Sequence, residues 1–257
     1  MTASRPDTLS HIHFLIWLLI MNVVAFALFT LFDQGHAQTM FAADRSYLTY
    51  VILIVFLGGS SYIAWHILAV SRKLNVAGSF LVNEPQELIR LASISDPSES
   101  LTRNGDDPAA YIKGFVAESV DLVRDGKSPP NDSHDETFLL EIYADDLRSA
   151  VDMGSFIVDM LFRMGLIGTI IGFILMLRSL VDGPLPQADG IQELLITMSS
   201  GMGTAFYTTL AGLVSATLMG IQVQVLGRGV EKLVGNLIRI GQRCRREAVR
   251  EGASSWQ

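Results

Sequence analysis

An all-α membrane protein with four transmembrane helices and long helical extensions is the fold class this sequence predicts, and three observations predict it. Only 18% of the 257 residues are charged, less than a water-soluble domain of this size usually carries. Four apolar stretches, 14–32, 48–70, 156–177 and 198–226, lack proline and approach or exceed the roughly 20 residues a helix needs to cross a hydrocarbon core. The formal charge of −7 lies almost wholly between and after them.

The first stretch is followed by Gly35, His36 and Ala37, small residues of the kind found at a signal-peptide cleavage site. Its apolar run is longer than the roughly 7–15 residues of a signal-peptide core and its amino side is weakly basic, so it is read as a span. The second stretch is rich in Leu, Ile, Val and Phe, with Trp17, Tyr47, Tyr50 and Trp65 placed as interfacial anchors for the pair. Together they make a peripheral, lipid-facing hairpin over 1–70.

Lys and Arg sort by side. One precedes the first span, one lies in the first loop, nine run from Arg72 to Arg163, one is Arg178, and seven follow from Arg228. Cytoplasmic flanks collect such charges, which puts both termini and the 71–155 insertion in the cytoplasm. Within that insertion, 104–108 and 126–133 read as breaks between short helices. From Asp135 onward Phe138, Leu139, Ile142, Leu147, Val151 and Phe156 recur at helical spacing with no proline before Pro184, so one helix is expected to run into the third span. The tail, 227–257, repeats the pattern: Val230, Leu233, Val234, Leu237 and Cys244 share a face while Lys232, Arg239, Arg243 and Arg246 fall largely elsewhere. Such a tail either lies on anionic headgroups or packs between subunits.

The pair over 156–226 carries the functional information. Small and hydroxyl residues recur every three or four positions: Gly165, Gly168, Thr169 and Gly172, then Gly201, Ala205, Thr208, Thr209, Gly212, Ala216 and Gly220. Small stripes let helix backbones approach closely, and any one Thr can be accounted for by a bond to its own helix. Several hydroxyls in a water-poor setting can also help coordinate a cation without a buried charge.

The segments GLIGTIIGF (165–173) and GTAFYTTLAGLVSA (203–216) resemble the two core helices of the MotA/TolQ/ExbB proton-channel family. The resemblance covers about 156–226 and the order of two spans, an insertion, two spans and a basic tail, which is similar to the four-span MotA branch. It departs from flagellar MotA in having no proline between Pro130 and Pro184 or after Pro186. The resemblance implies a homo-oligomeric, pentameric ring in the bacterial inner membrane, with a hydroxyl from each core helix on the ion path. By motif position these are Thr169 and Thr209, with Thr208, about 100° further round the helix, as second choice. Gly165, Gly168, Gly172, Gly212 and Ala216 are the close-packing positions.

No Asp, Glu, His or Lys lies deep in the first, third or fourth span, yet an ion path normally needs an ionisable group partway across. His66, near the cytoplasmic end of the second span, reads as an interfacial side chain. Asp159 and Arg163 stand at the inner mouth of the third, four apart, where they can pair with each other or form a ring around the entrance. The carrier carboxylate must then come from elsewhere. The resemblance implies a dimeric, single-span partner of the MotB, TolR or ExbD type bearing a membrane Asp, with a further cytoplasmic or envelope effector.

The function expected is thus an ion channel subunit, carrying H+ or Na+ and needing no cofactor, in a motor or stator complex. No basic stripe with interleaved aromatics points to nucleic acid. No Ser/His dyad, aspartate pair or His/Cys metal spacing points to an enzyme. A small-solute transporter, which usually has broken helices or repeats, and a noncatalytic scaffold are the other readings.

Overall fold

The computed structural model describes residues 47–82, 107–124, 134–182 and 188–254, with a few isolated positions before them (15, 17–19, 21, 22, 30 and 33). The described residues form four helices: α1 (Leu48–Val82), α2 (Pro108–Arg124), α3 (His134–Asp182) and α4 (Ala188–Ser254). The span expected over 14–32 lies, apart from those positions, outside the described residues. So do the break expected at 126–133 and all of the one expected at 104–108 except Asp107 and Pro108, where α2 begins.

Three helices, α1, α3 and α4, contain stretches long and apolar enough to cross a membrane. At about 1.5 Å per residue, the 67 residues of α4 extend for about 100 Å, and the 49 of α3 for about 74 Å. Both therefore continue far beyond a hydrocarbon core of about 30 Å. In the most apolar 18-residue window of α3 only 22% of the residues are buried within the chain. Ile167, Ile170, Phe173 and Ile174 stand open on α3, as do Phe206, Leu210 and Leu213 on α4. Water does not tolerate such continuous apolar surface on a helix; lipid or a neighbouring protein does.

The chain divides into two compact units. One comprises, among the described helices, 64–82, 107–124, 134–151 and 225–254. The start of α2 is written in local chemistry: the Asp107 carboxylate accepts a 3.0 Å bond from the Ala109 amide, and Pro108 opens the helix, where a missing N–H costs nothing. The buried face of α2, Ile112, Phe115, Val116 and Val120, packs in the same unit as Leu139, Tyr143 and Leu147 of α3 and Leu233, Leu237, Ile240 and Cys244 of α4. Val230, Leu233, Val234, Leu237 and Cys244 are all buried, so the apolar face of the basic tail is occupied by its own chain.

Aromatic rings fix that core. Tyr143 meets Tyr111 and Phe115 edge-on, at 5.2 and 5.3 Å between centroids, the geometry favoured by ring quadrupoles. Lys73 sets its ammonium 3.9 Å from the centre of the Tyr111 ring, a cation–π contact. The Tyr111 hydroxyl donates to the Tyr143 carbonyl at 3.0 Å. Burial first, and Asp146 and Tyr143 next, push the Tyr111 phenol well above its ordinary value, so it remains a donor at every pH the protein meets. Arg243 caps the end of α1, donating to the Leu81 carbonyl at 2.7 Å.

The other unit comprises 17–63 and 152–224. There α1 buries Ile52, Phe56 and Ile63 and leaves Val51, Ile54, Leu57 and Tyr62 open, the one-sided pattern of a helix packed on one face only.

Candidate functional site

Within this second unit α3 and α4 run antiparallel, and their spacing is set by glycine. A β-carbon added to Gly212 would come 2.6 Å from the Gly165 α-carbon and 3.0 Å from the Leu161 carbonyl oxygen. One on Gly172 would lie 2.6 Å from the Ala205 nitrogen, and one on Gly201 would lie 2.8 Å from the Met176 nitrogen. Gly168 is a notch filled by the Thr208 side chain, whose Cβ such an atom would meet at 2.5 Å. Ala216 is buried on the same helix. The backbones thus touch at several levels, as small-residue stripes permit.

The hydroxyls divide by position. Thr208 is fully buried, with its hydroxyl directed to the Thr204 carbonyl at 2.9 Å and the Ala205 carbonyl at 3.1 Å. Thr209, half-buried, lies over the seam between the helices: its hydroxyl is 2.9 Å from the Ala205 carbonyl and 3.2 Å from that of Gly165 on α3. Thr169 is also half-buried and donates to the Leu166 carbonyl at 2.6 Å. Each hydroxyl keeps oxygen lone pairs that its own donation does not use, and the two half-buried ones remain reachable from outside the chain. Asp159 and Arg163 face each other at 3.9 Å with both side chains more than 70% exposed, a weak pairing in water.

A second polar feature escaped the sequence reading, which searched the spans for ionisable groups. Gln222 of α4 is completely buried. Its Oε1 accepts from Ser60 of α1 at 2.8 Å and from the Trp17 indole at 3.2 Å, and its Nε2 faces the Met21 sulfur at 3.7 Å. The signal was an amide inside an apolar run. It ties α4 to α1 and to Trp17 and Met21, as buried amides do between membrane helices. Gln222→Leu is expected to leave the Ser60 and Trp17 donors without this acceptor and to cost about 1–2 kcal/mol. A fall of several degrees in the unfolding temperature of detergent-purified protein would register it; an unchanged temperature would mean that water or the helix carbonyls replace the amide at no cost.

Among the described residues no cluster of three His, Cys, Asp or Glu side chains could hold a metal ion.

The fold and this seam define a helical, multi-pass membrane protein in which two helices in backbone contact carry small and hydroxyl residues. Residues 111–238, very nearly half the chain, match the model of the MotA/TolQ/ExbB proton channel family. Over this segment the chain is similar to that family. The match takes in the α3/α4 seam, Thr169, Thr208 and Thr209, and also α2, where sequence reading found nothing specific. Comparison with curated proteins and with solved structures gave no match.

Proposed function

We propose that this chain is the ion-conducting subunit of an inner-membrane motor, in which several copies form a ring around a single-span partner bearing a membrane aspartate. The observation that carries the reading is the seam itself: within the matched segment, two half-buried hydroxyls, Thr169 and Thr209, accompany backbones in glycine contact. A transmembrane ion path needs oxygen ligands and an ionisable carrier. This chain offers the first, and no Asp or Glu occurs between residues 160 and 181 or between 194 and 230.

The mechanism follows from electrostatics. A lone carboxylate in hydrocarbon is costly, and taking up a proton or a sodium ion removes its net charge. The neutralised partner group could then pass from one copy's threonines to the next, and directional ion flow would turn one ring against the other. Of the neighbouring pair, Thr209 is favoured over Thr208, because Thr208 is spent filling the Gly168 notch. H+ is favoured over Na+ on the family's description. The partner is of the MotB, TolR or ExbD kind and dimeric, and both termini of this chain lie on the cytoplasmic side, where the Lys and Arg concentrate.

Copy number tests the reading. Purified in mild detergent with the product of the adjacent reading frame, the complex is expected to give five copies of this chain to two of a single-span protein by native mass spectrometry. A monomer or simple dimer with no partner would leave a transporter or scaffold as the better account.

A further inference from the structure

Toward its amino-terminal end α3 carries Glu141, Asp145, Asp152 and Asp159, all exposed; α4 carries Arg228, Lys232, Arg239 and Arg246, all exposed. The two sets have the same spacing, steps of four, seven and seven residues. At about 100° per residue such steps return to within about 40° of arc. Each set is therefore a narrow stripe, one acidic and one basic, and the stripes are of equal length. Each lies on the side of its helix opposite the buried residues, Leu139, Tyr143 and Leu147 on α3 and Leu233, Leu237 and Cys244 on α4.

The chain does not pair the stripes with each other. Among the described residues, the ion pair joining these helices is Arg148 with Glu231, at 3.3 Å, which uses a charge of opposite sign to the stripe on each helix. Among the described residues, Glu141, Asp145, Lys232 and Arg239 have no ion-pair partner in the chain.

Depth does match them. Val151 lies against Gly227 and Arg148 against Glu231, so each step up α4 corresponds to a step down α3. That sets Lys232 level with about residue 147 and Arg239 level with about residue 140, each within two residues, or about 3 Å, of Asp145 and Glu141. Copies in a ring about an axis normal to the membrane share one depth.

We infer that the basic stripe of α4 in one copy docks on the acidic stripe of α3 in the next, with Lys232 meeting Asp145 and Arg239 meeting Glu141 across the interface between copies. This rests on the ring reading above. It also chooses between the two fates open to the basic tail. Arg239 and Arg246 lie 13 and 20 residues beyond Leu226 in an unbroken helix, about 20 and 30 Å along its axis. Matching charge patterns also act against wrong registers.

Two differently tagged chains, one Asp145→Cys and one Lys232→Cys, both with Cys244→Ser, are co-expressed with the partner protein and oxidised in the membrane. A disulfide between the two tags can form only between copies. It is expected in high yield, and lost when either cysteine is absent. Because these side chains are exposed, charge variants should fold: Glu141→Lys with Asp145→Lys is expected to cut the ring population at least tenfold in native mass spectrometry, and adding Lys232→Glu with Arg239→Glu is expected to restore it. The ring of unaltered chains is read separately in the same spectra. An intact ring with no mixed-tag disulfide and no effect of charge reversal overturns this docking and leaves the ring reading standing; a monomeric unaltered chain overturns both. Charge reversal that instead only releases the protein's dependence on anionic lipid overturns it in favour of a headgroup surface.

Discussion

Gly212→Ala is expected to break the α3/α4 seam although it adds a single methyl group. The added carbon would sit 2.6 Å from the Gly165 α-carbon, 2.9 Å from its nitrogen and 3.0 Å from the Leu161 carbonyl oxygen. All three neighbours are backbone, so no side chain can swing aside, and the helices must separate by about 1 Å to reach ordinary contact at about 3.5–4 Å. Overpacking of this kind costs about 1–3 kcal/mol, with the upper end expected where only backbone can move. Against it stands the helix-propensity gain of about 1 kcal/mol for replacing glycine by alanine. The net loss should appear as a drop of about 5 °C or more in the unfolding temperature in detergent, and Gly212→Leu should prevent accumulation of folded protein.

Two further substitutions give the comparison its meaning. At Gly165 the added carbon would meet the Gly212 α-carbon at 3.1 Å, with its next neighbours at 3.5 and 3.6 Å, so Gly165→Ala should be the milder variant. At Gly220, two turns along α4 from Gly212, nothing lies within 4 Å, and Gly220→Ala should gain the propensity term. Equal sensitivity at Gly212 and Gly220 would rule out the seam as the cause.

What the sequence made legible follows from which physics is local. Span lengths and the amphipathic tail are set by hydrophobic periodicity along one helix. The helix expected from Asp135 is found, running from His134 to Asp182, because no residue in that interval interrupts the hydrogen-bond ladder. The Gly and Thr stripe could likewise be read, since residues three and four apart share a face. What could not be read was which member of the stripe meets which. That Thr208 enters the Gly168 notch while Thr209 lies over the seam depends on the axial register of two helices. Gln222 was passed over because a neutral amide neither titrates nor interrupts a hydropathy profile; its role becomes visible only when Ser60 and Trp17, more than 160 residues away in sequence, are seen to bond to it. The stripes of charge were legible as spacing but had no meaning until Arg148 and Glu231 fixed the level of one helix against the other.

Thr169→Val and Thr209→Val should each abolish ion-driven activity while the protein still accumulates and assembles. Valine keeps the branched shape and removes one oxygen. If the hydroxyls served only packing, the cost would be one hydrogen bond: Thr169 to the Leu166 carbonyl, within its own helix, or Thr209 to Ala205 and Gly165. Such bonds contribute about 0.5–1.5 kcal/mol, which alters stability slightly and leaves flux unchanged. If the hydroxyls are ligands on the ion path, removing one leaves an ion or a protonated group without an oxygen partner in a water-poor passage. A barrier rise of about 3 kcal/mol would then slow passage about a hundredfold. Thr208→Val is the internal standard, because that hydroxyl is fully buried and directed to its own helix, so its variant should keep its activity. Proton-driven flux or work, measured with the partner present and normalised to assembled complex, decides among the three. Activity lost at 169 and 209 and kept at 208 supports a path along the exposed side of the seam. Activity kept at 169 and 209 removes these threonines from the ion path, and loss at 208 alone would move the path to the buried side of α4.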